Sequence, residues 1–157
     1  MQDGAATITF FDRTYGEAFS LLEEARDYLA ERQQRELEPL PPSVQLVVSC
    51  ETMRLTTRLV QVMAWLLVQR AVQAGEIEAE DADRPERRLG GHDVCTKPGP
   101  WDLSGLPRRL RLLLDRSEAL YNRVARLDEM VHIRISQQRA ERMAAAPTAD
   151  ESDIVPV

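Results

Sequence analysis

This sequence predicts an all-α fold, an antiparallel three-helix bundle with long helices, dimeric, with flexible termini and a long acidic loop between helices 2 and 3. Three observations carry that expectation. Apolar residues recur at steps of three and four over three long stretches, roughly 12–36, 43–76 and 107–144, the period of helices that bury one stripe. Prolines and glycines gather between these stretches, at Pro39–Pro42 and across Gly75–Gly105, where they break regular structure. A single short segment, Thr7–Phe10, alternates like a strand, and it has no second strand to pair with.

The first element is expected to begin near Asp12. Met1–Phe11 reads as a weakly determined arm. Thr14 and Glu17 have capping-box spacing, which would satisfy two amides at a helix start. Tyr15, Ala18, Leu22, Ala25 and Leu29 then mark an apolar stripe, widened by Phe19, Leu21 and Tyr28. Pro39, Pro41 and Pro42 remove three donors and form a stiff turn.

Ser43 is a candidate N-cap for the second helix, and Gly75 suits the left-handed residue that ends one. The stretch between them has two apolar faces. Met53, Thr56, Val60, Met63, Ala64, Leu67 and Ala71 share one side, while Val62, Trp65 and Leu66 share another, flanked by Arg58 and Gln69. A helix apolar nearly all round needs cover on more than one side. The Trp65 face is read as a self-association surface; burial under the loop or the N-terminal arm is the other reading.

Residues 77–104 form the acidic loop, expected to be mobile because a connection this long inside a domain is unusual. The third helix starts at Pro107, a first-turn residue. Leu106, Leu110, Leu113, Ser117, Leu120, Val124, Leu127 and Val131 step by four and three, a coiled-coil-like seam. One domain, 1–146, and a disordered acidic tail, 147–157, complete the expected layout.

Charge is segregated. Residues 1–42 carry 4 basic and 9 acidic groups, whereas 107–146 carry 9 and 5, so the first and third helices should be neighbours. The net charge of −6 disfavours general nucleic-acid binding. No apolar run approaches the roughly 20 residues that span a bilayer, and the N-terminus lacks a secretory pattern. Two cysteines make no disulfide framework. No membrane partner and a cytoplasmic location are therefore expected. His92 and Cys95 form one H-x-x-C pair, short of the four ligands a structural zinc site takes. No nucleophile motif or anion-binding glycine loop is present, so catalytic, cofactor and metal residues are expected to be none.

Several segments resemble the RcdA family of alphaproteobacteria, the regulators of CtrA degradation. They are Glu24-Ala-Arg-Asp-Tyr-Leu29, Glu51-Thr-Met-Arg-Leu-Thr-Thr-Arg-Leu59, Trp65-Leu-Leu-Val-Gln-Arg-Ala-Val72 with Gly75-Glu-Ile77, and Leu120-Tyr-Asn-Arg-Val-Ala-Arg-Leu-Asp128. The resemblance implies a self-associating helical bundle without catalytic residues. It implies an adaptor that helps deliver cell-cycle regulators to the ClpXP protease, with ClpX, co-adaptors and a response-regulator cargo as partners. An adaptor needs a rigid body and docking patches. Arg54, Arg58, Val62, Trp65, Leu66 and Gln69 are the candidate dimer or partner interface. Glu76, Glu78, Glu80, Asp81 and Asp83 form a candidate acidic partner segment. Asp150, Glu151, Asp153, Ile154, Val155 and Val157 form the candidate flexible tail. The alternative is a dimeric regulatory module bound to another partner, such as a DNA-associated factor, with no protease role.

Overall fold

The computed structural model describes residues 3–146, with side chains from Phe10 onward. Every regular element among them is a helix: α1 (Asp3–Glu31), α2 (Gln33–Leu37), α3 (Pro42–Gln73), α4 (Ala79–Ala82), α5 (His92–Cys95) and α6 (Arg108–Ala145). The three long helices α1, α3 and α6 pack on one another, and the short ones ride on them.

The N-terminal arm is a correction. The chain is helical from Asp3, and neither a strand-like arm nor a start near Asp12 is present. Thr14 does not cap a helix. Its side chain is buried, and Oγ1 donates to the Phe10 carbonyl one turn back at 3.0 Å. The reason lies in the seam itself. Phe11, Thr14, Ala18, Leu21, Ala25 and Tyr28 are all buried, so the four-three repeat already holds at Phe11, ahead of the expected start. The stripe centred on Tyr15, Leu22 and Leu29 is the margin of that seam, half-buried against the core.

α3 begins at Pro42, not at a Ser43 cap. Pro42 takes the first-turn position, and no side chain caps the start. Gln45 Nε2 instead donates to the carbonyls of Leu37 and Leu40 at 3.2 and 2.9 Å, tying the proline turn to the helix. At the far end Gly75 has φ +73°. The Gly75 amide donates to Val72 and the Glu76 amide to Ala71, the paired bonds of a Schellman ending that a residue with a Cβ would strain.

The expected antiparallel order is also corrected. α1 runs antiparallel to both neighbours: Tyr15 lies under Arg70 and Gln33 reaches Thr52 on α3, while Glu17 meets Arg123 and Glu24 meets Arg116 on α6. α3 and α6, however, run parallel. Arg58 of α3 bonds Leu114 and Ser117 of α6, and Trp65, seven residues on, bonds Asp128. A short link joins antiparallel helices, but the connection 76–107 is long enough to return along the whole bundle.

That connection is laid down as a strap and is not a free loop. From the α4 end it passes Leu89 near Asp128, Gly90 near Gln61, Cys95 near Arg58, Trp101 near Glu51 and Gly105 near Val44. Ala82, Leu89, Cys95 and Leu106 are buried along it. Its sequence shows no period because its fixing points are scattered polar ones: backbone groups of Leu89, Gly90 and Cys95 held by bundle side chains, and the Arg88 and Trp101 side chains held by bundle carboxylates. Gly91, at φ +78°, brings the backbone so close that a Cβ would lie 3.2 Å from the Cys95 sulfur and 3.3 Å from Gln61.

The seam that starts at Leu106, just before α6, and continues on it through Leu110, Leu113, Ser117, Leu120 and Val124 is buried, with Leu127 and Val131 half-buried. Beyond Ile135 the helix projects with every side chain but Ser136 largely exposed. Leu113 and Leu120 are 1% and 2% exposed, so replacing either by Ala should cost about 2–5 kcal/mol in denaturant unfolding.

Candidate functional site

The Trp65 face is not a surface. Val62, Trp65 and Leu66 are between 0% and 2% exposed, and Arg58 and Gln69 are buried with them; Arg54 is half-buried beside Glu51. These residues point into the angle between α1, α6 and the strap. Phe11 of α1 packs on Trp65 with ring centroids 5.8 Å apart. The expectation that they form a dimer interface therefore fails on burial. Cover by the strap and α1 accounts for this apolar face.

What holds Trp65 is a carboxylate. Trp65 Nε1 donates to Asp128 Oδ1 at 2.7 Å, and the Leu89 amide reaches the same oxygen at 3.4 Å. Arg88 Nε and Nη2 donate to Oδ2 at 3.1 and 2.9 Å. One buried carboxylate thus joins α3, α6 and the strap with charge-assisted bonds. Tyr121 extends the same line, donating its hydroxyl to the Gly90 carbonyl at 2.6 Å.

Arg58 does similar work lower in the bundle. Its Nε donates to the Cys95 carbonyl at 2.9 Å, and Nη1 reaches the Leu114 carbonyl and Ser117 Oγ. Burial pulls its pKa down, with Glu118 at 3.7 Å opposing the shift. Burial likewise pushes the Cys95 thiol and the Tyr28 and Tyr121 phenols up. A raised, buried thiol is a poor nucleophile. His92 and Cys95 belong to the strap helix α5, where the His92 ring meets Tyr121 edge-on. Glu129-Met-Val-His132 has a spacing used by carboxylate-bridged metal centres. Here Glu129 meets Arg88 and His132 turns to Asp83. Among the described residues no three His, Cys, Asp or Glu side chains are placed to hold a metal ion.

The acidic segment divides. Glu76 and Glu78 are exposed, whereas Glu80 pairs with Arg142 at 2.6 Å, Asp81 with Arg84 at 2.6 Å, and Asp83 faces His132 Nδ1 at 2.8 Å. Three of the five acids are thus engaged within the chain, two of them by α6. The tail residues Asp150, Glu151, Asp153, Ile154, Val155 and Val157 lie outside the described residues. The arginines of α6 meet α1: Arg116 and Arg109 reach Glu24 at 2.6 and 3.8 Å, and Arg123 reaches Glu17. Such pairs contribute little each, about 0–1 kcal/mol, but they divert basic groups from any outside anion.

The open apolar surface is the opposite face of α3. Leu46, Met53, Val60 and Leu67 are 66%, 71%, 54% and 51% exposed. They repeat every seven residues, with Thr56 and Ala64 between them and Ala71 one turn beyond. Of the four charged residues of α3, Glu51 and Arg58 are buried, Arg54 lies against Glu51, and Arg70 sits over the Tyr15 ring. The face from Leu46 to Leu67, about 32 Å long at 1.5 Å per residue, therefore carries no charge. Phe19, stacked on Tyr15 and 44% exposed, adds apolar surface on the adjacent helix α1. The heptad spacing was visible in the sequence; which of two apolar faces turns inward was decided by Asp128 and the strap, which no period reveals.

Fold and surface together define, among the described residues, a helical scaffold with an uncharged apolar face on α3. The family model described as "Protein of unknown function (DUF1465)" matches residues 3–152. The chain is also similar to the solved "Crystal Structure of RcdA from Caulobacter crescentus CB15", at 39% identity and a TM-score of 0.65, covering 78% of this chain and 91% of that one. The chain belongs to the RcdA family. No match is found among curated proteins. No helix among the described residues is long and apolar enough to cross a membrane.

Replacing Asp128 by Ala orphans the buried Trp65 N–H and should cost about 1–3 kcal/mol. Hydrogen exchange should accelerate at Leu89 and Gly90 well before it does in α1. Cys50, half-buried, should react with iodoacetamide in the native protein, and buried Cys95 only on unfolding.

Proposed function

We propose that this chain is a non-enzymatic adaptor that helps deliver cell-cycle regulators to the ClpXP protease through protein–protein contacts. The observation that carries the reading is the uncharged heptad face Leu46–Met53–Val60–Leu67 on an otherwise charged bundle. Large exposed apolar faces on soluble proteins mark contact sites. The similarity to RcdA supports the adaptor role.

In this reading the α3 face is where the chain self-associates. A face without charge is self-complementary under two-fold symmetry, and small residues such as Ala64 and Ala71 let two helices approach closely. ClpX, its co-adaptors and a response-regulator cargo engage the body and its charged ends. The DNA-associated alternative gains nothing from the arginines of α6, several of which are spent on α1.

The first test is degradation of a labelled response-regulator cargo by purified ClpXP, with and without this protein and its co-adaptors. Faster cargo loss only when the protein is added supports the reading; cargo loss that ignores it, together with no capture of ClpX from native lysate, ends it. For the contact face, Val60→Glu and Leu67→Glu should each shift sedimentation from dimer to monomer with helix content unchanged. A dimer that persists in both variants would move self-association off α3.

A further inference from the structure

A cleft of about 550 Å³ opens between the start of the strap and the projecting half of α6. Its walls carry Arg84, Arg88, His92, His132 and Arg139 together with Glu80, Asp83 and Asp128. The acids in it are already engaged. Asp128 holds Arg88 and Trp65, Asp83 faces His132, and Glu80 is paired with Arg142. The cationic side is not balanced in the same way. Arg139 meets no acid among the described residues, the His92 ring makes no hydrogen bond there, and Arg84 touches only Asp81, at the surface. The cleft thus offers spare donors, and the ligand it fits is anionic.

The chain supplies such a ligand within reach. Ala146 leaves the helix in extended conformation (φ −65°, ψ 126°), as expected for a residue before Pro147. Arg139 lies six residues before Ala145, about 9 Å back along the axis. Asp150, Glu151 and Asp153 follow Ala145 by five to eight residues, which in extended chain reaches about 17–28 Å. That is enough to turn back onto Arg139 and enter the cleft. The start of α6 lies beyond that reach: Arg108 is 37 residues before Ala145, about 55 Å away. Reach and charge therefore select the same place.

We propose that the acidic segment Asp150–Asp153 docks in cis in this cleft, its carboxylates meeting Arg139, Arg84 and His92. With the segment docked, an outside acidic peptide reaches these arginines only by displacing it. The cleft is then an internally occupied peptide site, released by competition.

The test uses the full chain and amide NMR at two protein concentrations tenfold apart. Charge reversal in the tail, D150K/E151K/D153K, should shift the amides of residues 84–92 and 132–142 while those of α3 residues 46–67 stay in place. Arg139→Glu should give the same pattern. Combining both reversals should return the cleft amides toward their original positions, an outcome that mere loss of a structural arginine would not produce. A synthetic peptide of residues 147–157, added to the tail-reversed chain, should shift the cleft amides back toward the unmodified spectrum. Shifts confined to residues after 143 would overturn the proposal, and so would cleft shifts that grow with protein concentration, which would mean docking between copies.

Discussion

The fold depends on one buried carboxylate. Asp128 sits where α3, α6 and the strap converge, and it accepts from Trp65, Arg88 and the Leu89 amide. Such an arrangement is costly to half-build. A buried carboxylate without partners carries a desolvation penalty of several kcal/mol, and removing its partners one at a time leaves other polar groups orphaned. With all partners in place it specifies position. Trp65 is turned inward, the strap is held at Leu89, and α6 is fixed in register against α3. The parallel order of α3 and α6 follows, because the strap must run back along the groove that this cluster closes.

Arg58, Glu51, Gln61 and Tyr121 repeat the device at lower levels, each spending a bundle side chain on the strap: Arg58, Gln61 and Tyr121 on its backbone at Cys95 and Gly90, and Glu51 on the Trp101 indole. The strap contributes few large apolar side chains, chiefly Leu89 and Leu106. Its attachment is polar where the bundle's is apolar. Opening the strap would break these polar bonds and also uncover the apolar face of Val62, Trp65 and Leu66, so the order of the strap and the burial of that face are coupled.

The long helices were legible in the sequence because their signal is periodic. The α6 seam from Leu106 to Val124 is the buried face that the spacing gave, and the Schellman ending at Gly75 sits where a left-handed residue was expected. The start of α1 was misread because Thr14 and Glu17 imitate a cap, although the seam from Phe11 already had the helical step. The inward face of α3 was misread for a deeper reason. Two apolar faces compete on that helix, and the choice rests on a tertiary hydrogen bond between residues 63 positions apart. A clue existed in the spacing Leu114, Tyr121, Asp128 and Ile135, all buried on a second stripe of α6. Its polar members hide it from any reading based on hydrophobicity. The cleft residues share that difficulty: they are polar and come from two stretches some 40 residues apart.

The uncharged face of α3 has a consequence for how copies of this protein meet in solution. With a net charge of −6, two molecules repel at long range, and the repulsion reaches about 8–10 Å at physiological ionic strength. The exposed sides of α1 and α6 carry their charges outward. The outer side of α3 does not, so approach along it meets the least local opposition and the most dehydration gain. Charge on the rest of the body thus acts as a filter on orientation. It discourages chance contacts between bundles and makes the α3 side the direction of least electrostatic opposition.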